Sequence, residues 1–148
     1  MIEAGLRNTA KADQSRAAIE LLIKHGTWVE ALMELDDRGS ANSIVRYAMM
    51  GVTTDEDKPY LHLEWTDLVQ HLTQKPHTYS ETEVKILLLA ASLFANVPVE
   101  MRDLTTGLDP QHAVWVVAAV ASAAGAAGSG PGIGATADAA IEEEEGPR

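Results

Sequence analysis

Five side chains that could bind a metal ion lie close together in this chain: His62, Glu64, Asp67, His71 and His77. Imidazole nitrogens and carboxylate oxygens are the ligands that zinc and related ions use in proteins. Asp67 and His71 are four residues apart, so a helix would place them on one face. No HExxH or comparable ligand pattern accompanies them. The sequence therefore predicts a solvated polar face and no metal site, and it leaves open whether His62, Asp67 and His71 bind anything.

Residues suited to covalent or acid–base catalysis are sparse. The chain has no cysteine and no Gly-x-Ser-x-Gly elbow. Ser40 and Ser80 stand where helix caps are expected. Two acidic clusters, residues 36–37 and 55–57, lie at expected helix ends and loops, where charge runs are usually solvated. We therefore expect a protein that is not an enzyme and that needs no cofactor.

A glycine-rich segment, Gly130 to Ala135, matches the loose pattern of dinucleotide-binding loops. Such a loop holds a pyrophosphate only when a strand precedes it and a helix follows. Here a predicted helix precedes it and an acidic stretch follows, so we interpret it as a linker. The surrounding residues, 125–148, are rich in glycine, alanine and glutamate, which predicts a disordered tail after a helical domain of residues 1–124.

The net charge of −11 limits the range of partners. Affinity for nucleic acids depends mainly on lysines and arginines that neutralise phosphates, so binding to DNA or RNA is not expected. The apolar run from Ala113 to Ala127 is shorter than the ~20 residues that cross a bilayer, which argues against a membrane protein. Residues 1–5 lack a signal-peptide pattern. With the absence of cysteine, these features predict a cytoplasmic protein.

Two segments are apolar on every side: Ile86–Ala95 and Ala113–Ala124. A helix of this kind must be covered all round by its own chain, a partner or lipid. The segments predict an all-α fold in which five or six short helices surround two apolar central ones. The capping and periodicity signals place the elements as follows: helices at 10–24, from Thr27 to about 38, at 44–49 and at 66–74, an extended lead-in at 60–65, a capping box at Ser80–Glu83, a helical turn at 98–104 and a helix start at Asp109–Pro110.

The order of elements from residue 80 to 124 resembles the core of winged helix–turn–helix regulators. A long helix is followed by a short one near Val97–Leu104, and Gly107-Leu108-Asp109-Pro110 then leads into a further helix. The resemblance implies that this last helix would read DNA. It lacks the basic residues for that role, since Arg102 is the only base between Val97 and Ala124.

The whole chain also resembles short helical proteins of actinobacteria and their phages. The shared residues are Arg16–Trp28 and the block from Leu87–Ala95 to Gly107-Leu108-Asp109. This resemblance implies no particular activity and assigns no functional residue.

The resulting hypothesis is a non-enzymatic protein–protein interaction or accessory module that binds a protein partner or a second copy of itself. Small residues on the last helix allow another helix to approach closely, so we predict an interface at Trp115, Ala118, Ala119 and Ser122. Simple core packing of this helix within one chain is the alternative interpretation. Two alternatives stay open: a helix–turn–helix transcriptional regulator, which needs a basic surface, and an acidic DNA-mimic inhibitor of a DNA-binding protein, which needs rows of exposed carboxylates.

Overall fold

The structure, a computed structural model, describes residues 2–33, 44–53, 57–75 and 77–125. Within these ranges the chain is mostly helical, with one small antiparallel sheet. The elements in chain order are α1 (Ile2–Thr9), α2 (Asp13–His25), α3 (Thr27–Met33), a 3₁₀ turn (Val45–Tyr47), β1 (Ala48–Val52), β2 (Pro59–Leu63), α4 (Trp65–Gln74), α5 (Glu81–Ala95), α6 (Met101–Thr105) and α7 (Pro110–Ala123).

The sheet corrects the prediction of an all-α fold. Residues 44–49, predicted as a helix, form the 3₁₀ turn and the start of β1. Residues 60–63, predicted as an extended lead-in, belong to β2, and Met50 pairs with Leu61 in the ladder. The all-α prediction is wrong because each short strand is stable only when paired with the other, and the residues that begin β1 also fit a helical pattern. The alternation of Leu61 and Leu63, both buried, was the correct signal.

Helix α1 precedes the first predicted helix and holds β2 in place. Gly5 lies so close to the strand that a Cβ atom there would be 3.1 Å from the Leu61 Cβ. The Asn8 side-chain amide donates a 2.6 Å hydrogen bond to the carbonyl of Pro59. Arg7 forms a bidentate contact with Glu20 of α2, with its Nε 2.7 Å from Oε1. These contacts join α1 to both the sheet and the helical core.

The core is centred on α5 and α2. Helix α5 has five buried residues, and its closest packing is against α2 and then α4. Ile86 and Leu87 of α5 and Leu22 of α2 are fully buried. Helix α7 packs mainly on α2 and has only slight contact with α5. The prediction of two central apolar helices is therefore right for α5 and wrong for α7, which lies at the edge of the described structure.

Helices α5 and α7 begin with the predicted capping chemistry. The Ser80 hydroxyl accepts from the backbone N–H of Glu83 at 3.1 Å, and the Glu83 carboxylate accepts from the N–H of Ser80 at 3.0 Å, which confirms that capping box. Asn96 ends α5 in the left-handed conformation. Asp109 caps α7 through the N–H of His112 at 2.8 Å, with Pro110 in the first helical position.

No helix in the described ranges is long and apolar enough to cross a membrane. The predicted tail beyond Gly125, with its glycine-rich linker, lies outside the described residues, as do Ser40 and the acidic pairs 36–37 and 55–56.

Candidate functional site

The four residues predicted as an interface lie together at the seam between α7 and α2. They line one wall of a groove of about 220 Å³. The opposite wall belongs to α2 and consists of Ala17, Glu20, Leu21 and Lys24. Ala119 is buried, whereas Trp115, Ala118 and Ser122 are half-buried. The predicted residues therefore share one helix face, and that face is turned toward α2 of the same chain. Their contact with a second chain stays a prediction.

An aromatic cluster closes one end of this seam. The indole of Trp115 lies edge-on to two imidazoles, with its ring centroid 5.2 Å from that of His112 and 6.1 Å from that of His25. The two histidine rings are 5.3 Å apart. His25 is the last residue of α2, and His112 is in the first turn of α7. The cluster therefore fixes the N-terminal end of α7 against the C-terminal end of α2.

The charge states within the cluster follow from its hydrogen bonds and burial. His112 Nδ1 lies 2.8 Å from both carboxylate oxygens of Asp109. Hydrogen bonds from the backbone and side chain of His112 lower the pKa of Asp109. Burial lowers the pKa of His25, the nearby His112 lowers it further, and Glu83 acts in the opposite direction. His25 Nδ1 is buried and finds no hydrogen-bond partner in the described part of the chain.

The Asp109–His112 pair has one feature of a catalytic dyad, since a carboxylate orients an imidazole. A dyad of that type also needs a hydroxyl or thiol for the imidazole to activate. Among the described residues, no such group is in hydrogen-bond contact with His112, whose ring bonds to Asp109 alone. The arrangement therefore acts as a helix cap that also holds the His112 ring against His25.

The opposite side of α7 is an exposed apolar face, here called the valine face: Val114, Val117 and Val120. Their exposed fractions are 58%, 53% and 42%. The three residues are spaced by three, so they lie on neighbouring turns of the same side. No residue of α7 is acidic or is a lysine or arginine. The sequence predicts the all-round apolar character of α7, and its predicted interface residues lie on the other side of the helix. The available signal was the contrast between branched valines on one side and small residues on the other.

The histidines between residues 62 and 77 do not converge. His62 Nε2 lies 3.9 Å from the Glu64 carboxylate at the surface. His71 is buried, with its Nδ1 2.9 Å from the hydroxyl of Tyr47. Asp67 and His71 share a face of α4, as predicted, and line a recess of about 320 Å³ with Tyr47. Among the described residues, no group of three or more histidines and carboxylates is placed to hold a metal ion.

Comparison with known proteins gives no relative: no protein-family model, curated protein or solved structure matches this chain.

Proposed function

We propose that this protein is a non-enzymatic interaction module that self-associates through the valine face of α7. The observation that carries the proposal is the exposure of Val114, Val117 and Val120 on a helix without charged side chains. Contiguous exposed apolar surface of this kind is characteristic of protein–protein contacts. Ala121 and Ala124 lie beside the valines, and small residues there let a second helix approach closely.

Charge favours the valine face over other surfaces for contact between two copies. Each chain carries a net charge of −11, so two copies repel each other over most approaches. Between residues 110 and 123 there is no carboxylate that a second copy would have to face. Contact along α7 therefore buries apolar surface while it keeps the acidic residues of the two chains apart. Salt should strengthen this association, because it screens the repulsion between the chains.

The size of the face indicates weak association. Full burial of one valine contributes about 1.5 kcal/mol, and these valines are already about half covered, so two copies would gain about 4–5 kcal/mol. Loss of translational and rotational freedom costs at least about 4 kcal/mol, so the flanking alanines must add to the contact. A millimolar dissociation constant requires about 4 kcal/mol net, so the dimer should form only at about millimolar concentration and dissociate on dilution.

The test is the molar mass of Val117→Asp as a function of concentration, measured by size-exclusion chromatography with light scattering. The substitution places two carboxylates in the proposed contact, so the variant should stay monomeric while the wild type becomes heavier with concentration. Val52→Asp is the matched control, because Val52 is 56% exposed on β1 and the charge change is the same. A wild type that is monomeric at millimolar concentration, or a Val52→Asp variant that loses the dimer equally, would contradict the proposal.

A further inference from the structure

A recess lies between α4, α5 and α6, on a different surface from the valine face. It has a volume of about 490 Å³, which is within the range of ligand-binding clefts. Apolar residues make up half of its lining, namely Val69, Val84, Leu88, Pro98, Val99 and Leu104. We call it the α4–α6 groove. Such a surface accepts an apolar side chain, and the residues at its rim decide what can flank that side chain.

The rim of the α4–α6 groove is acidic. Glu81, Glu100 and Asp103 line it and are exposed, against a single basic residue, Lys85. The Lys85 ammonium is already engaged, because it donates to the carbonyl of Thr106 and lies 3.4 Å from the Glu81 carboxylate. Among the described residues, neither Glu100 nor Asp103 forms an ion pair. Two carboxylates at the mouth of the groove are therefore available to a cationic ligand.

His77 also lines the groove, with one ring nitrogen bonded and the other buried. Its Nε2 lies 2.9 Å from the carbonyl of Leu72 and must donate to it, because a carbonyl oxygen only accepts. In the neutral ring this leaves Nδ1 as an acceptor. That atom is buried and has no hydrogen-bond partner within the described residues. Because that atom is closed off from the surface, the acidic rim and not His77 is what a ligand in the groove would meet.

We propose that the α4–α6 groove binds a segment of a partner protein in which an apolar side chain is flanked by arginines or lysines. The apolar residue would occupy the groove, and the flanking cations would pair with Glu100 and Asp103. The chain itself offers no such segment outside the described ranges. Residues 34–43 contain Arg38 beside Asp36 and Asp37, and residues 126–148 contain only Arg148, after four glutamates. The net charge of −11 would also speed the encounter with a basic partner.

The probe is a fluorescein-labelled synthetic peptide with a central pair of leucines flanked by arginines, titrated with full-length protein and followed by fluorescence anisotropy. The variant E100Q/D103N should weaken binding roughly fivefold, as expected for the loss of two exposed ion pairs. The Glu100 side chain makes no capping bond to α6, so its replacement should leave the fold intact. Thr73→Trp, at an exposed lining position, should block the groove and abolish binding.

The control variant E3Q/E30Q also removes two negative charges, but from exposed positions on α1 and α3, outside the groove. It should bind the peptide as the wild type does. Circular dichroism of every variant checks the fold, and a glycine-flanked peptide with the same leucines checks the need for cations. The proposal holds if only E100Q/D103N and Thr73→Trp lose affinity for the arginine peptide. Equal binding of the glycine-flanked peptide, equal loss in E3Q/E30Q, or no binding by the wild type would overturn it.

Discussion

Helix α5 packs against neighbours on most of its circumference, whereas α7 packs mainly on α2 and leaves three valines exposed. Both helices are strongly apolar, and neither has a pronounced amphipathic pattern. The difference lies in their neighbours. The chain supplies α2 and α4 on two sides of α5, but the described residues supply little besides α2 for α7. An all-round apolar pattern thus states that a helix requires cover without stating what provides it.

The largest expected effect is a difference in stability between a variant of α5 and a variant of α7. Leu87 of α5 is fully buried, so Leu87→Ala should lower the free energy of unfolding by about 2–5 kcal/mol, through lost burial and a residual cavity. Val117→Ala on α7 removes methyl groups from an exposed position and should cost at most about 0.5 kcal/mol. Urea denaturation at micromolar protein measures both values. Similar losses for the two variants would mean that α7 is covered as completely as α5.

A smaller effect is expected at Trp115, on the α2 side of α7. Its indole is half-buried and contacts the rings of His25 and His112, so Trp115→Ala should cost about 2 kcal/mol, less than the 3–5 kcal/mol of a fully buried aromatic residue. Because this side faces α2, the variant should keep the molar mass of the wild type under association conditions. A stable variant that loses only its dimer would instead place the partner at the predicted residues Trp115, Ala118, Ala119 and Ser122.

The elements that local chemistry determines could be predicted from the sequence. Ser80–Glu83 and Asp109–Pro110 act within a few residues of themselves, so both helix starts were predicted correctly. The strands could not be predicted in the same way, because β1 and β2 depend on each other. Ile44 and Val45 fit a helical stripe locally, and the pairing of Ala48 with Leu63 decides otherwise.

For the candidate sites too, the sequence predicts what nearby residues determine and misses what depends on the packing of distant elements. The sequence predicts an interface on α7, and the exposed valine face lies on that helix. It could not identify which side of α7 is exposed, because that depends on where α2 packs. The α4–α6 groove was missed entirely, since its lining comes from three elements and no local pattern joins Thr73, Lys85 and Asp103.

The smallest expected effect is a pH dependence of the folding stability, which comes from the titratable groups at the α2–α7 seam. Burial lowers the pKa of His25 below its ordinary 6.5, so in the folded protein the ring stays neutral while the unfolded chain takes up a proton. The unfolded state then binds more protons, and stability must fall as the pH drops from about 6.5 through the lowered pKa of His25. Asp109 adds to the loss at more acidic pH, because its folded pKa lies below its ordinary 3.8.

His25→Gln should therefore flatten the pH dependence of stability between about pH 7 and pH 5, with a change smaller than that of Trp115→Ala because the His25 ring is only half-buried. Urea titrations at several pH values measure this slope, and His62→Gln, at an exposed position, is the control.

Hydrogen exchange should show that acid loosens α7 before α5, since the buried α5 residues Ile86 and Leu87 are apolar. An unchanged slope in His25→Gln, or equal loosening of both helices, would show that the histidine cluster does not hold α7 against α2.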